Sequence, residues 1–331
     1  MTDAFLGKGT LFQNKKGASV EAPVPLAPLA DTHGHLTSFR RLDPAMAVAR
    51  AALVGVRLLA VPVDPSDDVP DAKGFLGWFR DVIDRAEGTL ERMAQDGVVP
   101  PAFTGTWQDV APLVRNVRFL AGVHPYGAQR LVEDLSVRHR LETLLDDDSC
   151  VGVGEFGLDY GPWNELPPDV QLEAFRLQLR MAHDRGLPVE LHLRDADGDE
   201  RAGAHVDALR VLEEEGVPDA GCDLHCFTSG PEVMEPFANM GCRIAFGGAV
   251  TFARSDAIRE AARLCPLDQL LSETDSPYMA PVPLRGRECE PAMVAFSAAC
   301  VAEVREEGNG DSRAKTYEAL WRNANEFFGM A

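Results

Sequence analysis

The stretch Gly152–Tyr160, GVGEFGLDY, admits two readings that lead to different folds. Its first six residues satisfy G-x-G-x-x-G, the turn that sets a dinucleotide pyrophosphate on a helix N-terminus in a doubly wound sheet. Read instead as the end of a parallel strand, the same residues put Glu155 at the mouth of a barrel. The first reading requires a helix directly after Gly157 and an acidic residue about twenty positions further on, at a strand end. Neither is present. LDYGPWNELPP is turn-like, and the region beyond it carries the apolar stripe of a helix. A nicotinamide-dependent dehydrogenase, and any nucleotide cofactor, are set aside.

Outward from this stretch, short apolar runs alternate with helical patterns from residue 31 onward, the signature of βα units on a parallel sheet. Strands are predicted at LADTHGH (29–35), VRLLAVPV (56–63), RFLAGVHP (118–125), VGVGEFGLD (151–159), LPVELHL (187–193), CDLHCF (222–227), RIAFGG (243–248) and LLSETDSP (270–277). Eight such strands predict an α/β fold of the closed (β/α)8 TIM-barrel type. Asp43 and Pro44 open a helix that ends near Gly55, and Asp169 opens one that carries Leu172, Phe175, Leu179 and Ala182 and stops at Gly186. The interval 64–117 is too long for one βα connection. Leu76, Phe79, Ile83, Ala86, Leu90 and Met93, at three-four spacing, predict a packing helix in an insertion after strand 2, within 66–100. Gly88 weakens it by roughly 1 kcal/mol. Two further helices, at 291–307 and 312–328, are expected to close the outer ring. Residues 1–30 contain prolines that exclude regular helix and read as an irregular lead-in to a single domain at 31–331.

The chain has 331 residues, 45% hydrophobic and 25% charged, enough to bury a large core. Its formal net charge of -20 argues against a general nucleic-acid or membrane surface. Potentials decay over about 8–10 Å at physiological salt, so a metal cluster can still dominate its own pocket. No run approaches the ~18–20 apolar residues of a membrane span, and no basic-then-apolar leader opens the chain. The seven cysteines, scattered through apolar runs, read as reduced core thiols of a cytoplasmic protein. Cys222 and Cys226 lack a second pair at zinc-finger spacing.

Placed on the predicted strands, histidines and carboxylates gather at the C-terminal ends, where barrel enzymes keep their sites. His33 and His35 alternate on strand 1 and so share a face; Glu155 ends strand 4, His192 strand 5, His225 strand 6 and Asp275 strand 8. Singly, each is as well explained as a satisfied core histidine or a helix cap. Six converging on one mouth point to a metal site. Imidazole with carboxylate suits Zn²⁺, Mn²⁺, Ni²⁺ or Fe²⁺, with Mg²⁺ admissible where carboxylates and water supply most ligands. Glu155, from the middle strand of the set, is the natural bridge between two ions. Four neutral imidazoles and two carboxylates leave two divalent ions a positive surplus that attracts phosphate, and ion-bound water losing its proton near neutral pH becomes the nucleophile. Asp275 is placed to take that proton. Arg194 shares the face of His192 and can hold a phosphate bidentately. His124 is a further candidate, for hydrogen bonding substrate, and Glu273 one for supporting a ligand histidine. Asp159 and Asp195 read as capping or loop residues.

The runs DTHGH, GVHPY, GEFGLDY, LPVELHLRDA, LHCFTSG and ETDSPYMAPVPLRGR, in this order over residues 31–291, resemble the motifs of the TatD-type metal-dependent deoxyribonucleases. The resemblance implies a barrel of the amidohydrolase superfamily, two or three divalent ions (magnesium, manganese or zinc), and phosphodiester hydrolysis with exonuclease action on DNA ends or a small phosphorylated substrate. It carries the metal roles to His33, His35, Glu155, His192, His225 and Asp275, a phosphate role to Arg194, and a substrate or metal-adjacent role to His124. Gly34 stands where the family usually has cysteine. In RGRECEP (285–291) Glu288 and Cys289 replace a basic and an amide residue, which is expected to remove positive charge from the substrate edge and to disfavour long DNA. The alternatives are a two-metal amidohydrolase for a small amide or ester, against which stands Glu155 in place of a carboxylated lysine, and a non-catalytic metal-binding scaffold.

Overall fold

The structure, a computed structural model, describes residues 11–330; the first ten residues of the expected lead-in and residue 331 lie outside them. In the rest of the lead-in the Asn14 side chain accepts from the backbone N–H groups of Lys16 and Ala18 (2.9 and 3.1 Å). This turn pairs β1 (Phe12–Gln13) with β2 (Ser19–Val20) as an antiparallel hairpin. The segment is therefore less irregular than its prolines imply, because an asparagine that holds its own turn lets the flanking residues pair.

The barrel strands are β3 (Leu29–Asp31), β4 (Val56–Val63), β5 (Val117–Ala121), β6 (Cys150–Asp159), β7 (Val189–Arg194), β8 (Cys222–Leu224), β9 (Arg243–Phe246) and β10 (Leu270–Ser272). They form one eight-stranded parallel sheet in chain order. The ends of the sheet meet through a few bonds rather than a ladder. The Ser272 carbonyl accepts from the Thr32 N–H (3.1 Å), the His33 carbonyl from the Asp275 N–H (2.9 Å), and the Ser276 carbonyl from the His35 N–H (2.9 Å). Buried Asp31 locks this seam by accepting from the N–H and hydroxyl of Thr274 (2.8 and 2.7 Å). These bonds fix His33, His35 and Asp275 side by side although they lie at opposite ends of the sheet.

Ten helices surround the strands among the described residues: α1 (Pro44–Leu53), α2 (Ala72–Gln95), α3 (Ala128–Glu133), α4 (Leu135–Leu145), α5 (Pro168–Arg185), α6 (Gly203–Glu215), α7 (Pro231–Asn239), α8 (Asp256–Leu264), α9 (Val294–Asn309) and α10 (Arg313–Phe327). None is long and apolar enough to cross a membrane. The predicted start and stop signals act as expected at α1, where Asp43 accepts from the Met46 N–H, and at α5, which Gly186 ends in the left-handed region at φ 63°. α5 begins one residue earlier than Asp169, at Pro168. Of the predicted stripe on the insertion helix α2, Phe79, Ala86 and Met93 are buried while Leu76, Ile83 and Leu90 are only partly so; the packed face is turned toward Phe75 and Val82, and Phe75 and Phe79 meet Phe119 of β5 edge-on (5.4 and 5.5 Å).

α10 does more than close the outer ring. Trp321, Ala324, Phe327 and Phe328 pack with Ala30, Leu58, Ala60, Leu120, Ala245 and Leu271, a cluster apart from the main core. Asn323 donates to the carbonyls of Leu267 and Leu270, before and at the start of β10 (both 2.9 Å), which places α10 as a plug under the N-terminal ends of the strands. The C-terminal mouth stays open for chemistry.

The opening stretch owes its glycines to this geometry. Val153 pairs with Val189, yet Phe156 pairs with Leu191, so β6 carries one extra residue between them. Such a bulge reverses the inside–outside alternation. Val153 before it, and Phe156 and Leu158 after it, all face the helix-side core, and Glu155 is turned to the mouth. Gly154 and Gly157 lie against β7: a Cβ at Gly154 would stand 2.7 Å from the Glu190 Cβ, and one at Gly157 only 2.1 Å from the His192 carbonyl oxygen. Gly157 also has φ 153°. Gly157→Ala is expected to destabilise the protein by at least about 2 kcal/mol in chemical denaturation, since both the backbone and the β6–β7 spacing must give. A loss under 0.5 kcal/mol, roughly the surface-substitution range, would contradict the close packing.

Candidate metal centre

The bulge and the seam bring the six predicted donors together at the C-terminal mouth of the barrel. Glu155 lies in mid-strand, not at a strand end as expected, because β6 keeps pairing with β7 as far as Asp159. Its two oxygens face different partners. Oε1 stands 3.3 Å from His35 Nε2 and 3.8 Å from His33 Nε2, while Oε2 is 3.1 Å from both His192 Nδ1 and His225 Nε2. Asp275 Oδ1 is 3.8 Å from the Nε2 atoms of His33 and His35, which are themselves 3.1 Å apart. His192 Nδ1 and His225 Nε2 are 3.3 Å apart. Donors of a tetrahedral ion bound at about 2.0–2.2 Å stand about 3.3–3.6 Å from one another. The donor distances here, 3.1–3.8 Å, bracket that spacing, and His33, His35 and Asp275 form one compact group and Glu155, His192 and His225 another.

The protons of this centre are held by competing forces. Burial alone would raise the Glu155 pKa, but His225, His192 and His35 hold the carboxyl well below its ordinary value. Burial alone would lower His192, yet Asp159 and Glu155 lift it to about 9. His35 is likewise raised, against burial, by Glu155 and Asp275. His33 is pushed well down by burial and by His225, and Asp275 is raised, mainly by burial. Histidines lifted this way carry protons that divalent cations would replace.

Two carboxylates outside the predicted set hold the histidines in place. Glu190 Oε1 lies 2.7 Å from His33 Nδ1 and leaves Nε2 facing the centre; Asp159 Oδ2 lies 3.2 Å from His192 Nε2. Period-two spacing could have found Glu190, which shares one face of β7 with His192 and Arg194 in VELHLR. Asp159 lies four residues after Glu155 on β6 and shares its face, so the same period-two spacing could have placed it at the mouth rather than as a cap or loop residue. Asp195, by contrast, is the expected cap: it accepts from the N–H groups of Ala204 and His205 at the start of α6.

His124 borders the centre, with Nε2 4.0 Å from Glu155 Oε2. Its Nδ1 accepts from the Tyr126 N–H (3.2 Å), so the neutral ring carries its proton on Nε2 and presents a donor. Burial lowers its pKa to about 3 and keeps it neutral. Although His124, Asp159 and His192 also form a donor group, this tautomer suits substrate better than a third ion. Glu273 lies 3.8 Å from His225 Nδ1, too far for a hydrogen bond, and its Oε1 accepts from the Cys226 N–H (2.5 Å). Arg194 lines the cleft with its guanidinium 4.0 Å over the Trp163 ring.

Glu288 and Cys289 are held by contacts within the fold. Glu288 accepts from the backbone N–H groups of Arg40, Arg41 and Leu42 (2.9, 3.2 and 3.1 Å), and three amide dipoles offset its charge. Cys289 is fully buried. Neither lines the cleft over the donors.

Residues 30–329 match the family model described as TatD related DNase, a match that covers the barrel and every residue of the centre. The chain belongs to the TatD-related DNase family. It is 34% identical over 233 residues to the uncharacterized metal-dependent hydrolase YabD of Bacillus subtilis, covering 69% of this chain and 85% of that protein. It is 33% identical over 222 residues to the 3'-5' ssDNA/RNA exonuclease TatD of Enterobacter lignolyticus, covering 64% and 77%. The crystal structure of YJJV, a TatD homologue from Escherichia coli, superposes with a TM-score of 0.67 over 92% of this chain and all of that one, at 23% identity, a likeness of fold.

Within this TatD-type centre, Glu190 is the partner whose loss is most readily measured. Glu190→Ala is expected to weaken divalent-metal affinity about 10–100-fold in calorimetric titration, with Glu190→Gln, which still accepts from His33 Nδ1, nearer the unsubstituted protein. Equal affinity in all three would show that Glu190 does not orient His33.

Proposed function

We propose that this chain is a metal-dependent phosphodiesterase acting on nucleic-acid ends, a TatD-like 3'–5' exonuclease of the cytoplasm, with residues 31–331 as its catalytic unit. The observation that carries the reading is the division of Glu155 between two donor sets, Oε1 with His33, His35 and Asp275, Oε2 with His192 and His225. Two divalent ions of the zinc, manganese or magnesium kind, bound by these residues, would polarise a phosphoryl oxygen and lower the pKa of water. The chain's own groups do the rest. Arg194 places a guanidinium on the cleft wall for the phosphate. His124 offers Nε2–H to a substrate oxygen. Asp275, partly buried beside His33 and His35, accepts the proton of the attacking water. Glu190 and Asp159 keep His33 and His192 in orientation. Seven unpaired cysteines accord with a reducing compartment. The nucleic-acid substrate is supported by the relative named as an ssDNA/RNA exonuclease.

The test is digestion of 3'- and 5'-labelled single- and double-stranded oligonucleotides with each metal, beside bis-p-nitrophenyl phosphate and dipeptides. Metal-dependent release from a 3' end is expected. Hydrolysis of dipeptides alone would move the enzyme to amide chemistry, and activity indifferent to chelators would remove the metal centre from the reaction.

A further inference from the structure

We propose that Trp163 is a platform on which the terminal base of the substrate stacks, so that a base-bearing strand end, rather than any phosphodiester, is what this cleft selects. The inference rests on the phosphodiesterase reading above and names its substrate class. Among the described residues three aromatic side chains stay exposed, Tyr126 (45%), Trp163 (67%) and Tyr278 (56%), and all three line the one cleft of about 540 Å³ over the metal centre. Aromatic rings left in water on an otherwise ordinary surface, gathered at one mouth, mark a binding face for flat apolar groups.

Trp163 is the best placed of the three. The Arg194 guanidinium lies over its ring and leaves two thirds of the side chain open. Arg194 shares the β7 face of His192, so a phosphate held there has Trp163 directly beside it. The loop is tied to the centre rather than loose. Asp159 Oδ1 accepts from the Gly161 N–H (2.7 Å), the Asp159 carbonyl accepts from the Asn164 side chain (3.2 Å), and Asp159 Oδ2 contacts His192. A Cβ at Gly161 would stand 2.7 Å from Arg194 Nε, so glycine there makes room for the guanidinium against the loop.

Charge argues the same way. The opposite wall carries Asp64, Asp67 and Asp68, and the cleft's other arginine, Arg130, donates to the Ser66 carbonyl on that acidic loop. Three carboxylates on that loop against one guanidinium make the Arg194 side the more favourable seat for a phosphate, which suits an end better than a continuous strand. With a net charge of -20, the protein gains little from long-range attraction to phosphates. Base–aromatic stacking, independent of charge and tolerant of sequence, supplies affinity in its place.

The test uses the metal-loaded enzyme and single-stranded oligonucleotides whose terminal nucleotide either carries its base or is abasic, with unsubstituted protein, Trp163→Ala and Trp163→Phe. For base-bearing ends Trp163→Ala is expected to raise KM about tenfold, with Trp163→Phe restoring most of it; for abasic ends KM stays unchanged. Binding of the base-bearing strand is expected to quench tryptophan fluorescence, and Trp163→Phe to abolish that quenching. An equal loss on both strands would mean that Trp163 only props Arg194, and no loss on either would mean that no base stacks there; both overturn the proposal. Base-dependent quenching without cleavage of any strand would support the platform while overturning the phosphodiesterase reading. Neither quenching nor cleavage would overturn both.

Discussion

Glu155→Gln is expected to lower metal-dependent phosphodiester hydrolysis by about 10³-fold or more, about 4 kcal/mol in the barrier, and to leave the protein with fewer tightly held ions. Glutamine keeps the length of the side chain and one carbonyl oxygen, so the bulge and the β6–β7 ladder have no cause to change. What it loses is the charge and the equivalence of the two oxygens. Oε1 faces His35 at 3.3 Å while Oε2 faces His192 and His225 at 3.1 Å, so an amide must turn its NH₂ group toward one of the two donor sets. An NH₂ group has no lone pair to give a cation. One carboxylate, Asp275, would then face two divalent ions across four neutral imidazoles, and the second ion loses most of its compensation. Metal content per chain after gel filtration is expected to fall from two toward one while the circular dichroism stays unchanged. Full occupancy with less than a tenfold loss of rate would remove Glu155 as the bridge.

The parts of this centre legible in the sequence are those set by local alternation. His33 and His35 read correctly as neighbours because a strand repeats every two residues, and Arg194 is placed from His192 by the same rule. The barrel is legible from the number and spacing of apolar runs, and the turn-like LDYGPWNELPP separates the two readings of the glycine-rich residues 152–157. The three glycines are spacers against Leu120, Glu190 and His192, a packing need that imitates a phosphate-binding motif.

The features hidden from the sequence depend on contacts between distant segments. Glu190 and Asp159 orient histidines of other strands; spacing places both on the inner face, but a buried acid in an apolar strand does not announce its partner. Glu288 looks like a charge on the substrate edge, since the three amides that receive it lie nearly 250 positions away, at 40–42. α10 carries the periodicity of a ring helix, and only the position of its C-terminal aromatics under the strands shows it to be a plug. In each case the residue type is visible and its environment is not.

Asp275→Asn is expected to lower kcat by about 10²–10⁴-fold while the protein keeps its metal content, the loss typical of removing a positioned general base. Asp275 sits three residues past the end of β10 with φ 54°, a conformation that asparagine tolerates as well as aspartate, and its N–H donates to the His33 carbonyl at 2.9 Å. The substitution therefore leaves the seam in place. Asn Oδ1 can still occupy the position 3.8 Å from His33 Nε2 and His35 Nε2 as a neutral oxygen donor, and Glu155 still supplies a carboxylate to the same set. What asparagine cannot do is accept the proton of the attacking water, since its amide has no basic oxygen of carboxylate strength. The two substitutions should therefore separate: Glu155→Gln loses ions and rate together, Asp275→Asn loses rate alone, with KM for bis-p-nitrophenyl phosphate changed less than threefold, about 0.6 kcal/mol. If Asp275→Asn instead releases metal in proportion to its lost activity, Asp275 acts as a ligand only, and the proton must pass to another group of the cleft, of which His124, neutral with Nε2 already protonated, is unable to take it.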